Sequence, residues 1–179
     1  ALMDSVNLRH EIFASGDEFL ENVDDHRAGC LVLDIRMPGL GGLDLQDELI
    51  KHGSTLPIIF ITGHGDVPMA VDAMQKGAVD FIQKPFRDQD LLDRIREALK
   101  TDQERREEQQ RHAEVAERLA RLTNREREVF DLVVTGKPNK VIAYELGVSQ
   151  RTVEIHRARV MEKMQARSLA DLVKMHMTA

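Results

Sequence analysis

Three apolar runs each end in a reactive polar residue: Cys-Leu-Val-Leu-Asp34, Pro-Ile-Ile-Phe-Ile-Thr62, and Asp-Phe-Ile-Gln-Lys84 followed by Pro85. Each reads as a short buried strand, and in an open α/β sheet ligands bind just outside the carboxyl ends of the strands. A carboxylate, a hydroxyl and an ammonium are therefore expected to converge on one pocket. A carboxylate can act as a nucleophile while a cation and a hydroxyl hold the arriving oxygens, so the set suits the acceptance of a phosphoryl group.

The elements that must position these residues alternate over residues 1–99. A short helix is expected around Leu2 to Val6, then an extended segment at His10 to Ala14. Ser15-Gly-Asp-Glu18 is a capping-box pattern opening a helix through Phe19, Leu20 and Val23. Strands are predicted at Cys30 to Asp34, Pro57 to Thr62 and Val79 to Lys84. Helices are predicted from Leu43 to His52, from the turn bearing Pro68 to Gly77, and from near Asp88. Gly63-His64-Gly65 reads as a loop, with His64 a loop residue and not a base. Alternation with helix-length crossovers argues for a parallel sheet covered on both faces.

No strong breaker interrupts Asp88 to Leu122. Glu107 with Arg111, Glu114 with Arg118 and Glu117 with Arg121 are acid-before-base pairs at i,i+4, and Val115, Leu119 and Leu122 add a narrow apolar stripe. The segment reads as a helical linker with a solvated face; the stripe is too short to define a dimer-forming coil.

The remaining 57 residues read as four short helices. Thr123-Asn-Arg-Glu126 is a second capping box, Gly136-Lys-Pro138 ends the helix it starts, and Asn139 to Leu146 is the next. Gly147 makes a tight turn, Ser149 caps a long helix from Gln150 to about Met164, and Ser168-Leu-Ala-Asp171 caps the last. Two helices joined at a glycine turn form a helix-turn-helix signature. At 100° per residue, Val153, His156, Val160 and Met164 share the core side of the long helix. Arg151, Glu154, Ile155 and Ala158 are then placed to meet base edges. Asn139, Lys140, Ser149 and Thr152 are better placed for phosphates. His156 has no second ligand at helical spacing, so it reads as an inward residue and not a metal ligand.

Charge and length fit two small domains. The 179 residues carry a net −6, but residues 1–99 hold 9 Lys and Arg against 18 Asp and Glu, residues 100–122 balance six against six, and residues 123–179 hold ten against seven. An acidic front is followed by a mildly basic back that can approach a polyanion such as double-stranded DNA. The single cysteine, Cys30, lies inside an apolar run and reads as core in a reducing compartment. No apolar stretch reaches the roughly 18 residues that cross a bilayer, so a cytoplasmic protein without membrane contact is expected.

Val-Leu-Asp34-Ile-Arg-Met-Pro-Gly, Ile-Thr62-Gly-His-Gly-Asp-Val-Pro-Met-Ala-Val and Gly-Ala-Val-Asp-Phe81-Ile-Gln-Lys84-Pro85-Phe resemble the receiver domain of two-component response regulators. Leu-Thr-Asn-Arg-Glu126-Arg-Glu-Val and Ser149-Gln-Arg-Thr152-Val153-Glu-Ile-His156-Arg resemble the LuxR-type helix-turn-helix, and the pairing is similar to regulators of the FixJ type. The resemblance implies a flavodoxin-like α/β receiver over 1–99, a helical linker over 100–122 and an all-α DNA-binding domain over 123–179. It also implies that Asp34 is the phosphoacceptor for a sensor histidine kinase, that Thr62 and Lys84 bind the phosphoryl oxygens, that Phe81 is an aromatic switch, and that Lys84-Pro85 is cis. Phosphorylation is expected to drive dimerisation through the face near Phe81 and Val71 to Gly77, and so DNA binding, with RNA polymerase as a further partner.

One departure from the family pattern stands out. The first receiver strand, which ends in an acidic pair that holds Mg²⁺ together with Asp34 and the main-chain carbonyl of Arg36, has no counterpart. Asp24-Asp25 follows a helix and does not replace it. The resemblance therefore implies a truncated record of a longer regulator. The alternative is a DNA-binding protein with a degraded receiver that works without phosphorylation. An aspartyl-phosphate phosphatase ranks last, because such enzymes place a second acid two residues after the nucleophile, where Arg36 stands.

Overall fold

The computed structural model describes residues 2–22, 24, 27–63 and 66–179. In chain order the elements are α1 (Leu2–Ser5), α2 (Gly16–Asn22), β1 (Leu31–Asp34), α3 (Gly42–Lys51), β2 (Ile58–Thr62), α4 (Val67–Gln75), β3 (Asp80–Gln83), α5 (Asp88–Ala120), α6 (Asn124–Val133), α7 (Asn139–Leu146), α8 (Gln150–Met164) and α9 (Leu169–Thr178). The chain divides into two compact units, residues 1–105 and 106–179, with the division inside α5.

The first unit is a parallel sheet of order β1-β2-β3, in which Asp34 pairs with Ile61 and Thr62 with Gln83. Alternate residues of β2 enter opposite cores, as the period of a strand requires. Ile58 and Phe60 join Phe19 of α2, Leu45 and Leu49 of α3 and Ala70 and Ala73 of α4. Ile59 faces the other way, towards Leu91, Ile95 and Ala98 of α5, with Leu2 and Met3 of α1 packed alongside. Phe60 and Leu45 are completely covered, each contributing about 1.5–3 kcal/mol through burial. The expected two-sided α/β layer is thus present.

Two features fasten it. Gly42, at the start of α3, sits so close to β1 that an added Cβ would meet the Asp34 carbonyl oxygen at 2.4 Å and Phe60 at 3.1 Å, so only glycine fits there. At the opposite end of the sheet the buried Asp102 of α5 accepts a hydrogen bond from the Gly29 N–H at 3.1 Å and one from Arg105, whose guanidinium also donates to the Thr55 carbonyl. Burial, helped by the nearby Asp102 charge, pushes the Cys30 thiol up to about 11, in keeping with a core cysteine.

The expected extended segment at His10 to Ala14 is not a strand. Its residues carry no ladder bonds and Ile12 is exposed, because among the described residues no strand lies beside the free edge of β1 to pair with it. The Ser15 cap forms, accepting from the Glu18 N–H at 3.1 Å, but Glu18 reaches back to the Ala14 N–H instead of that of Ser15. Val23, Asp25, His64 and Gly65, to which expectations were attached, lie outside the described residues.

The second unit is helical. Thr123 and Glu126 complete a capping box at the start of α6, and Ser168 with Asp171 completes another at α9. Gly147, at φ 65°, ends α7 in the left-handed region and lets α8 begin two residues later at the Ser149 cap. Val129, Phe130 and Val133 of α6, Ile142 and Ala143 of α7, Val153, Val160 and Met164 of α8 and Leu172 of α9 form one core. Val115 and Leu119 of α5 belong to it, with Leu122 packed against it, so the apolar stripe is core of this unit and not a coil seam, while the rest of this stretch of α5 keeps its solvated face. On the outside of α5, Glu114–Arg118 and Glu117–Arg121 pair as spaced. The buried Glu126 carboxylate also meets the Lys163 ammonium of α8 at 2.6 Å.

Candidate functional site

The ends of β1, β2 and β3 bring Asp34, Thr62 and Lys84 to one edge of the sheet. Because Asp34 pairs with Ile61 and Thr62 with Gln83, each residue of the set stands one step further along its strand than the one before. Asp34 is the last residue of β1 and Lys84 follows the last residue of β3. The Lys84 ammonium lies 2.6 Å from Asp34 Oδ2, and the Arg36 N–H donates to Oδ1 at 3.0 Å. Both side chains remain open to solvent, at 35% for Asp34 and 52% for Lys84, so a reagent can reach the carboxylate.

Thr62 is fully buried and its hydroxyl donates to the Ile82 carbonyl at a long 3.4 Å. Phe81 is partly covered and packs against the core that contains Phe60. The Lys84–Pro85 bond is cis.

Asp66 is a member of the site that sequence reasoning missed. It is 3% exposed, takes the Arg36 guanidinium at 2.8 Å, and accepts the Gly63 N–H at 3.2 Å. It occupies the position before α4 yet makes no side-chain cap, because its carboxylate is committed to the two loops that flank Asp34 and Thr62. No local signal marks it, because its partner Arg36 lies thirty residues back in the chain.

A Mg²⁺ ion wants six oxygen ligands in near-octahedral geometry. The available donors are Asp34, whose two oxygens already meet Lys84 and Arg36, and the Arg36 carbonyl. Among the described residues no group of three or more His, Cys, Asp or Glu side chains is placed to hold a metal. The donor set does not fit the ion.

In the helical unit, α8 presents Arg151, Glu154, Ile155 and Ala158 outward and buries Val153, Val160 and Met164. Ser149 spends its oxygen on the Thr152 N–H at 3.1 Å, and the two hydroxyls lie 2.9 Å apart. Lys140 is exposed on the first turn of α7. Asn139 beside it accepts a hydrogen bond from Arg157 at 3.1 Å, a partner that no sequence argument named. His156 turns inward as expected, with Nδ1 buried and without a hydrogen bond. One face of α8 thus leaves Arg151, Glu154, Ile155 and Ala158 open to solvent, and Lys140 of α7 is exposed as well.

A carboxylate–lysine site at the strand ends of an α/β unit, followed by a helix-turn-helix, defines a receiver coupled to a DNA-binding module. The family described as response regulator receiver domain matches residues 1–96, and the family of bacterial regulatory proteins, luxR family, matches residues 120–176. The chain is 51% identical to Nodulation protein W of Bradyrhizobium diazoefficiens over 99% of its length and 78% of that protein. It is 44% identical to Transcriptional regulatory protein FixJ of Azorhizobium caulinodans, covering 99% of this chain and 84% of that one. Among solved structures, the response regulator StyR superposes with a TM-score of 0.90 at 42% identity, over 99% of this chain and 90% of that one. Full-length FixJ from B. japonicum gives 0.59 at 42%, over 99% and 87%. The chain belongs to the two-component response regulators that join a receiver domain to a LuxR-type helix-turn-helix, and it is a DNA-binding transcription regulator, not an enzyme. Receiver domains typically bind Mg²⁺, although the described donors do not complete such a site. No helix is long and apolar enough to cross a membrane among the described residues.

Proposed function

We propose that Asp34 accepts a phosphoryl group from the phosphohistidine of a sensor kinase and that the modified receiver dimerises, placing two helix-turn-helix units on DNA. The observation that carries this reading is the Asp34 carboxylate at the end of β1, solvent-accessible and 2.6 Å from the Lys84 ammonium. An Asp34 oxygen attacks phosphorus; the new O–P bond forms as the P–N bond to the imidazole breaks. The leaving imidazole keeps the electron pair and takes a proton from solvent. Lys84 then shifts from the carboxylate to a phosphoryl oxygen, neutralising charge that the carboxylate alone cannot. The Thr62 hydroxyl, held only by its long bond to Ile82, rotates to a second phosphoryl oxygen, and Phe81 settles further into the core beside it.

Support for the dimer comes from the surface around α4, where Met69, Val71, Met74 and Val79 are exposed. On the DNA side, Arg151, Glu154, Ile155 and Ala158 read base edges, and Asn139, Lys140, Ser149 and Thr152 meet phosphates. We assign residues 1–99 to the receiver, 100–122 to the connecting helix and 123–179 to the DNA-binding domain. The site of action is the cytoplasm, and RNA polymerase is the further partner. The test is phosphodonor labelling of the chain followed by mass mapping. One phosphoryl group at Asp34, absent from Asp34→Asn, supports the reading. An unlabelled chain would put a phosphorylation-independent DNA-binding protein in its place.

A further inference from the structure

Arg157 is out of keeping with its position on α8. At 100° per residue it lies some 40° from Val153, close to the line of Val153, Val160 and Met164, all of them fully buried. A cation near that line needs a partner, and it has one in Asn139, whose Oδ1 lies 3.1 Å from Arg157 Nη1, joining the first residue of α7 to the middle of α8.

The chemistry of this pair fixes which way the amide points. A guanidinium carries donors only, so the atom of Asn139 that faces it must be the carbonyl oxygen. The Nδ2 amino group is then turned away, and it has no partner among the described residues. We infer that Arg157 is a positioning residue for DNA: it holds the Asn139 amide with both N–H donors directed at a phosphate, although Arg157 itself does not read the DNA. The inference rests on the reading of Asn139 as a phosphate contact and adds the residue that orients it.

Phosphate contacts act on any sequence, so the probe is a fluorescent duplex of random sequence, bound by the full chain at low salt. Arg157→Met keeps the alkyl stem but cannot donate. Arg157→Gln has the same charge as the methionine variant and can donate to Asn139 Oδ1. A lost hydrogen bond of ordinary net strength corresponds to roughly fivefold in affinity. Arg157→Met should therefore weaken binding about fivefold more in the parent chain than in an Asn139→Ala background. Arg157→Gln should bind about fivefold more tightly than Arg157→Met. Equal losses in the two backgrounds would overturn the inference, because Arg157 would then act through its charge alone. Asn139→Ala binding as tightly as the parent would instead overturn the phosphate reading of Asn139 on which the inference stands. A readout free of any change at Arg157 is the side-chain amide NMR signal of Asn139: it should shift when duplex is added, and an unmoved signal would overturn the proposal.

Discussion

Replacing Lys163 by methionine tests the tie between α6 and α8 that sets the helix-turn-helix on its supporting helices. The Glu126 carboxylate is 2% exposed and meets the Lys163 ammonium at 2.6 Å, while Lys163 is 34% exposed. Removing one partner from a fully buried pair costs about 3–5 kcal/mol, and a fully exposed pair contributes about 0.2–1 kcal/mol. A pair buried at one end falls between, so Lys163→Met should cost about 2 kcal/mol at neutral pH, with the methionine stem preserving the packing. Burial acts to raise the Glu126 pKa, but the bonds from Lys163 and Thr123 outweigh it and hold the carboxyl below its ordinary 4.5. A group lowered by folding contributes stability that is present above its unfolded pKa and lost as pH falls through its folded pKa. The difference between parent and variant should therefore be full near neutrality and fade once Glu126 is protonated. Urea-dependent hydrogen exchange of α6 and α8 amides in the full chain measures it unit by unit. A loss under about 0.5 kcal/mol at neutral pH, or a loss that persists undiminished once the carboxyl is protonated, would refute the reasoning.

Two further outcomes follow from other parts of the fold. Gly42→Ala should cost the first unit about 3 kcal/mol, because its Cβ would fall 2.4 Å from the Asp34 carbonyl oxygen and the loop after β1 must move; exchange of β1 and β2 amides, together with slower phosphodonor labelling, checks this. Val71→Glu with Met74→Glu places charge on the exposed apolar surface of α4 and should abolish phosphodonor-dependent dimerisation while Asp34 labelling is unchanged, as read by sedimentation and mass.

Much of this is legible in the sequence. Asp34, Thr62 and Lys84 each close an apolar run, and a parallel sheet leaves such residues at one edge whatever the details of the loops. The caps at Thr123, Ser149 and Ser168 are local, so spacing alone revealed them, and the phase of Val153, Val160 and Met164 separated the two faces of α8. Long-range pairings were not legible. Asp66 meets Arg36 thirty residues away and Asn139 meets Arg157 eighteen away, and nothing in either neighbourhood marks the partner. His10 to Ala14 departs from its expected extended strand for a related reason. Its residues have strand character, but a strand exists only with a neighbour to bond to, and β1 is flanked on that side by no strand among the described residues. Val115 and Leu119 gave a true periodic signal, but their partners sit on other helices of the same unit, so their burial could not be seen from α5 alone.

The most direct test of the central claim is the mass of the full chain in solution, by sedimentation, before and after treatment with a small-molecule phosphodonor, for the parent and for Asp34→Asn. The parent should be a monomer that becomes a dimer on treatment, and Asp34→Asn a monomer throughout. A dimer that forms in the asparagine variant on adding the phosphodonor would contradict the central claim.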